Sequence, residues 1–161
     1  SGMGEANILL RTRGDRESGW DCIVRCVELE AHLGRVWPTA RVTVFAEGDH
    51  RTLDWLYARV RDLIGVRLGT NVHDEMGARS MRGRADVVIF DMPTAPDEVL
   101  RGAWLADADR LFVRSPDDSI ADVEAYLHGV EPAQIEGRGG FCVEQRVDDV
   151  LVSQVADLDL A

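Results

Sequence analysis

The sequence predicts an α/β protein built on an open, mostly parallel sheet with helices on both faces. Three observations lead there. Apolar β-type runs alternate with amphipathic helical segments through most of the length. One of those runs, Val87-Val88-Ile89-Phe90, is unbroken and ends at Asp91, as a strand covered on both faces would read. The chain also opens on a strand, a glycine-containing loop and a helix, the unit from which Rossmann-like sheets grow.

That opening unit carries most of the information. Ile8-Leu9-Leu10 reads as the first strand, and Arg11 to Trp20 as a polar loop in which Gly14 and Gly19 permit positive φ or close backbone approach. Asp21 is a suitable N-cap for a helix from Cys22. One helical row is Cys22, Cys26, Leu29 and Leu33, with Ile23, Val27 and Ala31 beside it and Arg25, Glu28 and Glu30 outside. The helix amides would face the loop, an arrangement that receives anions. Neither GxGxxG nor a Walker A loop is present.

The remaining elements follow in order. Pro38 stops the first helix, and Ala40 to Glu47 is a second strand. Arg51 to Ile64 holds Leu53, Leu56, Tyr57, Val60, Leu63 and Ile64 at helical spacing, with Gly65 as C-cap. Val66 to Gly69 is a short third strand, and Asn71 caps a helix over 72–81 that ends at Gly83. The central strand, 86–92, is followed by a helix over 97–106 with Val99, Leu100, Ala103 and Trp104 inward. Leu111 to Ser115 is the next strand, stopped by Pro116, and 119–128 the last helix, closed by Gly129. Residues 131–140 resemble a linker, 141–143 and 149–155 are brief strands, and 156–161 is an acidic tail.

Composition bounds the function. The 161 residues are 45% hydrophobic and 29% charged, a globular balance suited to one domain over 7–155, with Ser1 and Gly2 before Met3 reading as an expression scar within the lead-in 1–6. A net charge of −11 opposes nucleic acid and anionic lipid as partners, and no run approaches the roughly 20 apolar residues of a membrane helix, so a cytoplasmic location is expected. All eighteen basic residues are arginine. Arg79, Arg82 and Arg84 could gather with Arg11, Arg13 and Arg16 around ligand phosphates, or serve as surface solubilisers. Three cysteines and the absence of CxxC or HExxH predict reduced thiols, no metal and no cofactor.

In an open parallel sheet the ligand sits beyond the carboxyl ends of the strands. That places Thr12, Arg13, Gly14, Gly19, Trp20, Asp21, Cys22, Arg25, Asp91 and Thr94 as candidate ligand-binding residues, joined by Glu47, Asp49 and the stretch Arg114 to Asp117. Asp91 is either a ligand-facing carboxylate or a polar strand terminus capping the next turn. Trp20 offers a face for a base or sugar ring. Cys22 reads either as a nucleophile at a helix N-terminus or, preferably, as a buried thiol packing with Cys26. A nucleophile would need a base, and His32 lies ten residues on, about 15 Å along the helix.

Ile8 to Thr12, followed by Glu17-Ser18-Gly19-Trp20-Asp21-Cys22-Ile23-Val24-Arg25-Cys26-Val27-Glu28-Leu29, resembles the opening of the UDP-sugar hydrolases of pseudaminic-acid biosynthesis. Glu17, Gly19, Arg25, Cys26 and Leu29 match that family's strand–loop–helix motif, and Asp91 matches its "V-V-x-D-x-Y". The resemblance implies the N-terminal half of a glycosyltransferase-B-like architecture. Asp21 stands where the family has a glycine, Cys22 where it has its catalytic histidine and Pro93 where it has a tyrosine. The resemblance therefore implies a non-catalytic module that binds a small sugar or nucleotide ligand or a partner protein, with self-association covering the face that met the second half. The alternative is an active hydrolase or transferase component completed by another chain.

Overall fold

A computed structural model describes residues 6–128 together with the backbone of 141–147 and 150–156. The elements are β1 (Asn7–Gly14), α1 (Asp21–Val36), β2 (Arg41–Gly48), α2 (His50–Tyr57), β3 (Leu63–Arg67), α3 (Val72–Arg79), β4 (Ala85–Asp91), α4 (Glu98–Leu105), β5 (Ala108–Val113), α5 (Ile120–Leu127), β6 (Phe141–Val147) and β7 (Val150–Ala156). The strands form one sheet in the order β3-β2-β1-β4-β5-β6-β7. Pairings are parallel from β3 to β5 and antiparallel from β5 to β7. The predicted linker, most of the acidic tail and Gly129 lie outside the described residues.

Strand alternation divides the core into two layers. Ile8, Leu10, Val44, Ala46, Val87, Ile89 and Phe112 pack under α1, α2 and α5, against Ile23, Leu33, Leu56, Val123 and Leu127. Leu9, Phe45, Val88, Phe90, Leu111 and Val113 face the other way, under Trp104 and Leu105 of α4 and Met76 of α3. β1 and β4 are buried on both faces because each sits mid-sheet, which β4 shows as a nearly continuous apolar run and β1 as the run Ile8-Leu9-Leu10 followed by the buried Arg11 and Thr12. Each fully buried Leu or Ile contributes about 1.5–3 kcal/mol.

Several caps follow from residue type. Asn71, Asp97 and Ser119 each accept a backbone N–H from the residue three further on, and Ser119 forms a reciprocal capping box with Asp122. α1 differs from expectation. Asp21 is its first helical residue, and the cap is Trp20, which supplies no side-chain hydrogen bond. The buried face is Ile23, Cys26, Leu29, Glu30 and Leu33, while Ala31 is exposed and Cys22 half-buried. Glu30 is tolerated inside because its carboxylate accepts the Arg61 amide at 2.8 Å.

Three boundaries also move. β1 continues through Gly14, so the loop is only the turn 15–20, in which Asp15 Oδ1 accepts the Glu17 and Ser18 amides at 2.7 Å each and Gly19 takes φ +79°. The helix expected over 51–64 ends at Tyr57; Leu63 and Ile64 belong to β3, paired with Val44 and Phe45 of β2. Gly65 is therefore a strand residue, at a point where Leu53 would lie 3.1 Å from a Cβ. Val99 is 69% exposed, and Leu105 takes the inward place expected of it.

Gly14 fixes how closely α1 approaches the sheet. A Cβ there would meet Ile23 Cγ1 at 2.4 Å and the Gly19 carbonyl oxygen at 3.2 Å. Gly14→Ala is expected to cost about 1–3 kcal/mol through overpacking, read as a lower urea midpoint at unchanged m-value. An unaltered midpoint would mean that α1 can shift without penalty.

Candidate functional site

The order β3-β2-β1-β4-β5 places a topological switch between β1 and β4, and the adjoining carboxyl ends carry a cavity of about 630 Å³. Asp21, Cys22, Arg25 and Glu28 of α1 form one wall, with Val24 beside them. Asp91, Met92 and Pro93 after β4 and Arg114 and Pro116 after β5 form the other. The volume lies within the roughly 300–1,000 Å³ of small-molecule sites.

Asp91 is the centre of the site. It is 2% exposed and lies between two guanidinium groups, with Arg25 Nε at 3.2 Å and Arg114 Nη1 at 3.4 Å from the same oxygen. Arg114 is further held by the Asp118 carbonyl, to which its Nε and Nη2 donate at 3.3 and 3.1 Å. Arg25 donates to the Ser115 carbonyl at 2.7 Å. Burial raises the Asp91 carboxyl above its ordinary value, and the two arginines pull it back only in part.

Cys22 and Asp91 line the same cavity, the thiol beside the carboxylate. Burial, reinforced by the Asp91 charge, pushes the Cys22 thiol up to about 12. A thiol held there stays protonated at neutral pH and acts as a donor. Cys26 beneath it is also raised by burial. No histidine lines the cavity: His32 pairs with Glu124 at 3.1 Å between α1 and α5, and His50 and His73 are exposed beside Asp54 and Asp74.

The other candidate residues disperse. Thr12 is buried beneath the site beside Cys26, and Gly14 packs on Ile23. Arg13 turns to Asp15 and Glu47, at 3.4 and 3.9 Å. Thr94 is exposed and does not line the cavity around Asp91. Gly19 and Trp20 border a neighbouring cavity of about 590 Å³. Trp20 is not the open stacking face expected: its indole N–H donates to Thr52 Oγ1 at 2.9 Å and its ring lies 5.2 Å from that of Trp55.

The arginine patch does not assemble. α3 leads into the amino end of β4, so Arg82 and Arg84 sit at the opposite end of the sheet, paired with Asp62 and Asp109. Arg79 is buried, donating to the carbonyls of Gly83 and Asp107. Arg11 is buried in an ion cluster with Glu47 and Glu75, inside the layer under α3 and α4. Alternation along β1 had already put Arg11 on the face of Leu9, which was the available signal.

These features define the class: a Rossmann-like open α/β sheet with a crevice at its switch point. No family model matches the sequence, and no curated protein matches it. Among solved structures the chain is similar to NodZ α-1,6-fucosyltransferase soaked with GDP-fucose, at TM-score 0.39 and 11% identity over 69% of this chain and 39% of that one. A second match is fucosyltransferase NodZ from Bradyrhizobium, at TM-score 0.37 and 15% identity over 72% and 41%. The chain thus spans about two-fifths of those proteins, and likeness at this level carries no argument about its activity. Among the described residues no helix is long and apolar enough to cross a membrane, and no cluster of three metal-ligating side chains occurs.

Proposed function

We propose that the chain is a binding module for a small sugar or nucleotide ligand, related in design to the N-terminal half of a nucleotide-sugar hydrolase and without proton-transfer machinery of its own. The support is the crevice around Asp91. Its carboxylate accepts hydrogen bonds and two guanidinium groups border it, a combination suited to hydroxyl-rich anions. Val24, Met92, Pro93 and Pro116 supply apolar walls. The positions a hydrolase would use for acid–base work hold a thiol pushed up to about 12 and a proline. A second copy or a partner chain would complete the reading, and the exposed apolar side chains among the described residues include Tyr57, Met81 and Val99.

A thermal-shift screen against UDP-, CMP- and GDP-sugars and the free nucleotides tests this. A ligand present at 100 times its Kd stabilises the fold by about 2.7 kcal/mol, and Asp91→Asn should remove that gain. Absence of a shift with every compound would refute ligand binding of this class. Turnover of a UDP-sugar that disappears in Cys22→Ser would instead establish an active enzyme.

A further inference from the structure

The carboxyl edge carries a second feature, away from Asp91. The cavity of about 590 Å³ beside Trp20 adjoins another of about 470 Å³, and the two share Asp49 and His50 at the start of α2. Arg16 and Arg51 line the first, and Arg67 lines the second. All three are exposed, and among the described residues none of their side chains makes an ion pair or a hydrogen bond. Arg11, Arg25, Arg82 and Arg114, by contrast, are each held by a carboxylate.

With 29 acidic residues to 18 arginines, the chain has carboxylates to spare for its guanidinium groups. Guanidinium groups from three separate segments that stay unpaired at one junction are poised for an external anion. The carboxylates nearby are already committed. Asp15 Oδ1 accepts the amides of Glu17 and Ser18, Asp49 Oδ1 accepts the amide and hydroxyl of Thr52 at 2.8 and 2.6 Å, and Asp54 pairs with His50 at 3.2 Å. Asp49 caps the Thr52 and Leu53 amides of α2, which leaves those of His50 and Arg51, two residues that line the first cavity, with no acceptor among the described residues. Among the described residues Arg35 in the last turn of α1 and Arg61 before β3 likewise make no side-chain ion pair or hydrogen bond but lie at the amino end of the sheet, and Arg110 packs over the Tyr126 ring.

We propose that the junction between these two cavities is a binding site for a small diphosphate-bearing anion, with Arg16, Arg51 and Arg67 as its cationic ligands. This site and the Asp91 crevice are separate claims, and each can fail without the other. A diphosphate presents oxygens on two phosphorus centres, so that guanidinium groups in adjoining cavities can engage one molecule together.

The test is a titration of the ¹⁵N-labelled full chain with inorganic pyrophosphate, followed amide by amide in NMR spectra. Saturable shifts at Arg16, His50, Arg51 and Arg67, weakened about tenfold or more in the double variant Arg51→Glu/Arg67→Glu and unchanged in Arg35→Glu, are expected. Should the double reversal unfold the chain, Arg67→Gln alone makes the same comparison. UDP in place of pyrophosphate separates the sources: tighter binding at these amides assigns a nucleoside diphosphate, and equal binding assigns the diphosphate alone. Shifts at Asp21, Cys22 and Asp91 report the crevice independently. Non-saturating shifts that include Arg35 and Arg61, undiminished binding by the variants, or silence with both compounds would overturn the assignment.

Discussion

Arg11→Met is expected to destabilise the fold by about 3–5 kcal/mol in urea denaturation, a large part of the roughly 5–15 kcal/mol by which a domain is stable. Arg11 is 1% exposed. Its Nε donates to Glu75 Oε2 at 3.1 Å, its Nη2 to Glu75 Oε1 at 2.9 Å and Glu47 Oε1 at 3.0 Å, and its Nη1 to the Thr12 carbonyl at 2.6 Å. Glu75 thus depends on this one guanidinium, helped by the Trp104 indole N–H at 2.5 Å, while Glu47 also has the Gly69 amide at 2.9 Å and Arg13 Nη1 at 3.9 Å. Methionine fills similar space but strands Glu75 in the layer that holds Phe45 and Trp104, and leaves Glu47 with the half-buried Arg13 as its one guanidinium. The loss comes from uncompensated charge, not from volume, so Glu75→Gln in the Arg11→Met background should restore part of it. A double variant no more stable than Arg11→Met would assign the cost to packing.

That cluster also shows what sequence reading could and could not reach. β4 was legible because burial on both faces leaves an unbroken apolar run, and the cap at Asn71 was legible because a short polar side chain has few other reasons to precede a helix. Arg11, Glu75 and Arg79 were hidden because charge ordinarily signals surface, and only their mutual partners and backbone carbonyls make burial tolerable. The end of α2 was hidden for another reason. Leu53, Leu56, Tyr57, Val60, Leu63 and Ile64 keep a helical spacing, but Leu63 and Ile64 are taken by pairing with β2, a contact no local period reports. At the site, Asp91 and its neighbours on α1 were reachable from the rule of strand ends. The separation of Arg11 and Arg82 was not, since it depends on which end of the sheet each connection returns to.

Arg114→Met should cost about 3 kcal/mol at neutral pH and much less in acid, and the pH dependence is the informative part. Arg114 is buried and lies 3.4 Å from Asp91, so its removal leaves that carboxylate with Arg25 alone. In the native chain the Asp91 carboxyl already sits above 3.8. A carboxyl raised in this way binds its proton more tightly folded than unfolded, so stability falls as pH rises from 3.8 through the folded value. Without Arg114 the folded value rises further, and the interval over which stability is lost widens. The deficit of Arg114→Met relative to the native chain should therefore grow as pH increases from 3.8 and level off once Asp91 is ionised in the variant. Below 3.8 the carboxyl is protonated folded and unfolded alike, which leaves only the lost packing and the two hydrogen bonds to the Asp118 carbonyl. In an Asp91→Asn background the same substitution should show almost no dependence on pH. Urea midpoints for the four proteins, taken from about pH 3 to about pH 8, close the cycle. A deficit independent of pH in the Asp91 background would show that the two side chains are neighbours without being an ion pair, and would remove the electrostatic basis for placing an anionic ligand beside Arg25 and Arg114.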